Sequence, residues 1–298
     1  MILIDFSGIM FSSLMANIKP YSQGDVFDED MLRHMILNSL RSYRQKFHNY
    51  GEFIIVCDSH NYWRKQLFTF YKANRKKFFE NTPHLNWKCI FESFNKIKEE
   101  LKEYFPYKVL EIETAEADDI IGTLVGEYGN DRARKTEIIN LKGDACEKIL
   151  IISKDKDFIQ LHKYSNVKQY DPLKKIFIEH NNPEQYLLEH IMKGDAGDGI
   201  PSILCEDNYY VDENHKIKRL TQKTINDLMR KNKNEWPTNI QRNFDRNTSL
   251  ISLEHIPKNI KEKILEQYVN YSKNDRSRLM SYFIKYRLKN LLDSIGDF

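Results

Sequence analysis

Four short apolar runs, each running into carboxylates, constrain this chain more than any other feature. Met1 to Ile4 meets Asp5, and Phe53 to Cys57 meets Asp58. Lys108 to Ile112 precedes Glu116, Asp118 and Asp119, and Lys148 to Ile152 precedes Asp155 and Asp157. Runs of this length without alternation read as strands buried on both faces, and the stretches between them have helical period. That order predicts a doubly wound, mainly parallel α/β sheet. In such sheets ligands bind outside the carboxyl ends of the strands, where these acidic side chains fall.

The helical stretches carry their own punctuation. Leu32, Ile36, Leu40, Tyr43 and Phe47 recur at spacings of three and four, with Asp28 or Asp30 available as N-cap. Ile90, Phe94, Ile97 and Leu101 repeat the pattern, and Pro106 closes it. Thr114 is predicted to cap a helix running to about Tyr128, and Gly129 to Glu147 reads as a polar surface loop. From Asn182 onward, with Pro183 suited to a first turn, the chain reads as helices joined by polar loops. The expected division is therefore an α/β domain over 1–182 and a helical C-terminal part over 183–298, with 205–219 as a loop or β-hairpin insertion. With 298 residues, 41% hydrophobic and 30% charged, the chain can bury a real core.

The cysteines, Cys57, Cys89, Cys146 and Cys205, lie far apart and form no CxxC pair, which argues against zinc knuckles and a disulfide framework and for a reducing cytosol. The apolar start is too short for a secretory signal, and no stretch approaches the roughly 20 apolar residues of a membrane span. A soluble, cytoplasmic protein without a membrane partner is expected.

A further acidic set lies in Gly194-Asp195-Ala196-Gly197-Asp198-Gly199, and the sequence leaves open which of its two aspartates turns toward the others. Glu116 and Asp119 share a helical face. One aspartate after a strand is commonly a loop cap, but five carboxylate sets at matching positions would repel one another unless hard divalent cations sat among them. Oxygen ligands favour magnesium or manganese over zinc. Two ions about 3.5 to 4 Å apart can hydrolyse phosphodiesters without a covalent nucleophile. A receiver-like phosphoryl-transfer domain would also carry an acidic magnesium site, but it lacks the basic segment that follows here.

Net charge is only +3, yet the charges are segregated. Between Asn61 and Phe79 stand Arg64, Lys65, Lys72, Arg75, Lys76 and Lys77, interleaved with Tyr62, Trp63, Phe68, Phe70, Tyr71, Phe78 and Phe79, and with no acidic residue. Such cations neutralise phosphates while aromatics stack on unpaired bases. Lys65, Lys72, Arg75 and Lys76 could share one helical face; the bland alternative is an amphipathic helix whose rings pack inward and whose lysines are merely solvated. A second basic stretch, Arg276 to Lys289, reads as ordinary solvated helix surface.

In order along the chain stand Leu3-Ile4-Asp5-Phe6-Ser7, Tyr62-Trp63-Arg64, Tyr71-Lys72-Ala73-Asn74-Arg75, Glu116-Ala117-Asp118-Asp119, Ile151-Ile152-Ser153-Lys154-Asp155-Lys156-Asp157-Phe158, Gln160-Leu161-His162-Lys163-Tyr164, Lys193-Gly194-Asp195 and Tyr282-Phe283-Ile284-Lys285. This ordered set, spanning most of the chain, resembles the flap endonuclease and 5′-3′ exonuclease family, and within it the bacteriophage members with ribonuclease H activity. The resemblance implies a PIN-like fold with a helical arch at about 60–80 and a duplex-binding helix-three-turn-helix at about 190–230, the latter modified because Cys205 to Arg219 intervenes before Thr221-Gln222-Lys223-Thr224. It implies that Asp5, Asp58, Glu116, Asp118 and Asp155 hold a first Mg2+, directly or through water, and that Asp157, Asp195 and Asp198 serve a second, with Mn2+ able to substitute. Asp119 would orient metal-bound water. Lys72 and Arg75 would act with Asp155 in catalysis, beside Arg64, Lys65, Lys76 and Lys77 on the nucleic acid, and Gln222, Lys223 and Thr224 would grip duplex backbone.

The implied activity is two-metal-ion hydrolysis of RNA-DNA and DNA duplexes from the 5′ end, as exonuclease and flap endonuclease, in RNA-primer removal during phage DNA replication. Implied partners are 5′-flap, forked or RNA-primed duplexes and a single-stranded-DNA-binding protein or sliding clamp, with the enzyme monomeric in the host cytoplasm. A compact PIN-type ribonuclease and a non-catalytic replication-fork binding protein are the alternatives. The first is disfavoured by length, and the second by the acid retained at every expected position.

Overall fold

The computed structural model describes residues 1–17, 28–83, 85–129, 147–212 and 219–298. Most of the polar stretch expected as a surface loop between Gly129 and Glu147, the middle of the 205–219 insertion and Cys146 lie outside the described residues.

The chain runs β1 (Ile2–Asp5), α1 (Phe6–Asn17), α2 (Glu29–Lys46), β2 (Phe53–Val56), α3 (Trp63–Leu67), α4 (Arg75–Glu80), α5 (Trp87–Tyr104), β3 (Lys108–Leu110), α6 (Ala117–Tyr128), β4 (Ile149–Ile152), β5 (Val167–Asp171) and β6 (Ile176–Ile178). It continues as α7 (Pro183–Lys193), α8 (Gln222–Met229), α9 (Thr238–Ile251), α10 (Lys258–Asn270), α11 (Leu279–Lys285) and α12 (Lys289–Leu292). Six strands form one sheet in the order β3-β2-β1-β4-β5-β6, parallel except for the antiparallel edge strand β6. All four sequence-predicted strands are present. The sequence does not show β5 and β6, because Lys168, Gln169 and Asp171 interrupt β5 and β6 is largely exposed at the edge.

Strand order reverses at β1, which pairs with β2 on one side and β4 on the other. That is the switch point at which the loops leaving neighbouring strands diverge and open a crevice. The residues of β1, β2 and β4 alternate between two cores. Ile2, Ile4, Phe53, Ile55, Leu150 and Ile152 face α2, α5 and the C-terminal helices, while Met1, Leu3, Ile54, Val56, Ile149 and Ile151 face α6 and α10. Burial on both faces explains the unbroken apolar runs.

Three local expectations change. The helix after β3 begins at Ala117 rather than beside Thr114, whose φ of 69° takes it out of the helical region. The segment at 60–80 is not one helix: α3 and α4 are short and separated by turns through Phe68–Asn74, so Lys65, Lys72, Arg75 and Lys76 share no single face. Its rings are largely occupied by protein: Trp63, Phe68 and Tyr71 are buried, and Phe79 meets Trp87 and Phe91 edge-on at 5.0 and 5.9 Å. The chain after 183 is helical, but only part of it packs on itself: Met192, Ile203, Ile225 and Trp236 form a small core of their own, and the later helices pack on the sheet domain. Leu253, Ile256, Ile260 and Ile264 join the core under α6, and Leu279, Tyr282, Phe283 and Phe298 join the core on the other face.

Candidate metal centre and nucleic-acid interface

The acidic side chains are placed by the ends of elements. Asp5 closes β1 and stands ahead of α1, where its Oδ1 accepts the Gly8 N–H (3.1 Å) and its Oδ2 the Ser153 hydroxyl (2.8 Å). Asp58 follows β2; its Oδ1 accepts the Ala117 N–H at the start of α6 (2.7 Å), its Oδ2 the Ser7 hydroxyl (2.6 Å). These bonds join β1, β2, β4 and α6 at one edge, and the exposed amides of a helix start favour negative charge there. Asp155 caps the 3-10 segment Lys156–Lys163 by accepting the Asp157 N–H (2.9 Å). Its loop is fixed from β5, where buried Gln169 donates to the Ser153 and Asp155 carbonyls at 3.0 and 2.6 Å.

Electrostatics mark the same edge. Loss of solvation, then the Asp155 and Asp157 charges, holds the Asp118 carboxyl well above the usual range. Burial and Asp58 raise that of Asp5. Asp155 is pushed up to about 7 by desolvation and then Asp157. Carboxylates held this close by the fold, with their ionisation disfavoured, form a donor set suited to divalent cations. The site therefore fits the metal that the sequence implies.

Asp119 stands apart, and Glu116 is shared between Arg64 and the acidic edge. Buried Arg64 donates from Nη1 to Glu116 Oε2 (2.8 Å), pairs with Asp119 (2.8 Å) and donates from Nε to the Leu250 carbonyl (2.8 Å). Asp119 Oδ2 also accepts the Trp63 indole (2.9 Å) and the Glu116 N–H (2.9 Å). In this arrangement Asp119 braces α3 against α6 rather than facing the other acids, and Arg64, expected on the nucleic acid, is an interior strut. The reason is geometric: α3 packs Trp63 and Arg64 inward against the start of α6.

The turn between α3 and α4 bends back into the acidic edge. Tyr71 Oη lies 2.8 Å from Glu116 Oε2 and 2.7 Å from Asp198 Oδ2, its single proton shared between the two carboxylates. Lys72 Nζ pairs with Glu116 and lies 3.7 Å from Asp198 Oδ1, while its N–H donates to the Asp198 carbonyl (2.8 Å). Its φ of 57° is a strained conformation for a lysine, of the kind that concentrates at functional sites. Burial works against its charge, but Asp198 and Glu116 outweigh it and hold its ammonium above the ordinary lysine range. Arg75 Nη2 donates to Asp198 Oδ1 (2.7 Å). Lys65, Lys76 and Lys77 point outward.

The glycine-rich turn after α7 is closed by a reciprocal pair, Asp195 N–H to Ile200 O (2.8 Å) and Ile200 N–H to Asp195 O (2.7 Å). Both of its aspartates turn toward the other acids: Asp198 meets Lys72 and Arg75, and Asp195 lies with Asp157 around His190. His190 Nε2 is 3.0 Å from Asp157 Oδ1 and 3.4 Å from Asp195 Oδ2. Burial opposes its charge, but the two carboxylates push it up to about 10. His190 was missed in the sequence; its only signal was its place in the last turn of the helix that delivers Gly194-Asp195. Tyr71, Ser7, Ser153 and Gln169 were missed as well, being ordinary residues until the fold aims them.

Gln222, Lys223 and Thr224 begin α8, with Thr221 as N-cap accepting the Thr224 N–H (3.2 Å). They lie near the surface beside α7, Gln222 Nε2 reaching Glu189 at 3.4 Å. The loop between α7 and α8 is held from α9: buried Asn243 and Asn247 donate to the carbonyls of Ile203, Cys205, Ile191 and Pro201 at 2.8 to 3.0 Å.

Comparisons agree with this geometry. Residues 1–190 match the family model described as 5′-3′ exonuclease, N-terminal resolvase-like domain, and residues 181–298 match that of the T4 RNase H C-terminal region. Ribonuclease H of Enterobacteria phage T4 is 34% identical over 99% of this chain and 95% of its own length. In fold, the chain resembles T5 5′-exonuclease with divalent zinc ions bound (TM-score 0.62, 16% identity, 90% of this chain and 98% of that one). It also resembles a T5 flap endonuclease in a pseudo-enzyme-product complex with DNA and metal ions (TM-score 0.61, 15% identity, 90% and 97%). With both halves matched and a relative this similar along its whole length, the protein belongs to the 5′-3′ exonuclease family and is a metal-dependent 5′ nuclease with exonuclease function.

Proposed function

We propose that this nuclease hydrolyses 5′ flaps and the RNA strand of primed duplexes with two Mg2+ ions, removing primers during DNA replication in the cytoplasm of a phage-infected host. The observation that carries it is the meeting of two charge sets at the switch point: Asp5, Asp58, Asp118 and Asp155 at the strand ends, with Lys72 and Arg75 turned into the same edge.

Asp5, Asp58, Glu116, Asp118 and Asp155 would hold the first ion, and Asp157, Asp195 and Asp198 the second. The ions, when bound, supply an activated water and neutralise the charge that develops on the leaving oxygen. Lys72 and Arg75 neutralise carboxylates in the free protein and are within reach of a phosphate drawn to the same edge. Passing from carboxylate to phosphate, they stabilise charge that grows toward the transition state. Lys65, Lys76 and Lys77 lie along the backbone of an entering single strand. Gln222, Lys223 and Thr224 meet duplex phosphates at the start of α8, a contact that reads no base. A single-stranded-DNA-binding protein or sliding clamp would deliver this monomer to its substrate.

The test is cleavage of labelled 5′-flap and RNA-primed duplexes with magnesium or EDTA. Asp155→Asn is expected to abolish turnover while keeping a native circular-dichroism spectrum and substrate binding. Turnover at the normal rate by that variant would defeat the reading.

A further inference from the structure

We propose that His190 is a metal ligand: its Nε2 joins Asp157 and Asp195 in the second cation site as a nitrogen donor, tuning that site toward manganese, cobalt or zinc over magnesium. The proposal rests on the reading of the acidic edge as a two-cation centre and specifies the chemistry of one half of it.

The donor geometry is already in place. Nε2 of His190, a carboxylate oxygen of Asp157 and one of Asp195 all lie within 4.8 Å of one another. The separations of 3.0 and 3.4 Å lie close to what adjacent donors of a six-coordinate ion need, since bonds of about 2.1 Å at right angles put donors roughly 3 Å apart. Despite these distances, Nε2 is sealed from solvent and, among the described residues, makes no hydrogen bond of acceptable geometry. A buried imidazole nitrogen aimed between two carboxylates, and bonded squarely to neither, suits a third body that all three share.

The ring is also held. Tyr186, one turn earlier on α7, stacks on it with centroids 6.0 Å apart and planes 12° from parallel. α7 packs on the 3-10 segment that bears Asp157 and runs directly into the turn that bears Asp195, so one helix sets both distances. Asp195 is tied in turn by the Asp198 N–H (3.1 Å). Such second contacts fix the orientation that coordination requires.

The chemistry follows from donor type. An imidazole nitrogen suits manganese, cobalt and zinc better than magnesium, which prefers an all-oxygen, largely hydrated sphere. The Asp5, Asp58, Glu116, Asp118 and Asp155 set offers oxygen alone, so the two halves of the centre differ in preference.

Pulsed electron paramagnetic resonance of the full-length protein loaded with Mn2+ tests this. Coupling from an imidazole 14N is expected in the wild type and is expected to vanish in His190→Gln, with Mn2+ affinity at that site falling by about tenfold or more. His190→Asp, which restores an oxygen donor, should keep an ion there without nitrogen coupling, and should lower the Mn2+ to Mg2+ affinity ratio by about tenfold. Calorimetric titration with each ion gives the ratio, and a melting curve confirms that each variant is folded. Bound Mn2+ without nitrogen coupling, or coupling that survives in His190→Gln, overturns the proposal and leaves the imidazole as a counter-charge. Failure of the wild type to bind Mn2+ at all overturns the two-cation reading beneath it.

Discussion

At the residue scale, the side chains that matter most are cations turned inward. Arg64 is 3% exposed and satisfies Glu116, Asp119 and a backbone carbonyl at once. Removing one partner of a buried ion pair costs about 3–5 kcal/mol, because the remaining charge has no water to turn to. Arg64→Ala is therefore expected to lower the melting temperature strongly in metal-free buffer, in denaturation followed by circular dichroism, whereas loss of a surface phosphate contact would leave stability unchanged. Lys72 behaves differently. Its ammonium sits between Glu116 and Asp198, and Lys72→Ala is expected to slow single-turnover cleavage by roughly 100-fold while changing duplex affinity far less. Equal losses in both measurements would assign Lys72 to binding alone. Both residues were legible as basic, but that both turn inward was not, because a short helix and the turn after it hide their inward faces until their neighbours are in place.

At the element scale, the turn after α7 carries the argument. Gly194 has φ of 71°, and a Cβ there would come within 2.3 Å of the Ile200 carbonyl oxygen and 2.6 Å of Pro201. Backbone atoms cannot yield as a side chain would, so Gly194→Ala is expected to cost about 1–3 kcal/mol and to open the Asp195–Ile200 bridge. Hydrogen exchange at the Asp195 and Ile200 amides would rise in that variant, and second-site metal affinity would fall. Strands β1 to β4 were legible because burial on both faces makes them short, nearly unbroken apolar runs. The start of α6 was not: Thr114 has the right chemistry for a cap, but the turn that lets Asp58 accept the Ala117 N–H moves the helix start to Glu116. The arch region, in which Lys65, Lys72, Arg75 and Lys76 could have shared one helical face, is two short helices, with Tyr71 and Lys72 in the turn between them bonded to Glu116 and Asp198.

At the scale of the molecule, a common acidic edge couples stability to pH and to metal. An Asp155 carboxyl raised from 3.8 to about 7 means that ionising it costs the folded state. The penalty is absent below the unfolded value and grows as pH rises through 3.8 toward about 7, so the metal-free protein loses stability across that window. Asp155→Asn, which carries no charge, is expected to melt higher than the wild type in EDTA near pH 8, with the difference shrinking near pH 4. Magnesium should raise the melting temperature of the wild type more than that of the variant, since an ion that binds only the native state stabilises it by about 2.7 kcal/mol at 100 times its dissociation constant. A variant that melts no higher than wild type in EDTA would refute like-charge strain at this edge. Coupling of the whole chain adds to this, because the C-terminal helices and Phe298 complete the core under the sheet.

By itself the sequence determined four of the six strands, their parallel arrangement and the edge at which the carboxylates gather, since each rests on local runs of apolar residues and on what immediately follows them. It also carried the ordered motifs through which the family was recognised. Tertiary structure alone decided which acids face one another, which basic residues are struts, and that His190 lies between Asp157 and Asp195. Those outcomes depend on how α3, α6 and α7 dock on the sheet, and docking is set by contacts between residues far apart in the chain, such as Arg64 with Leu250 and Asp198 with Tyr71.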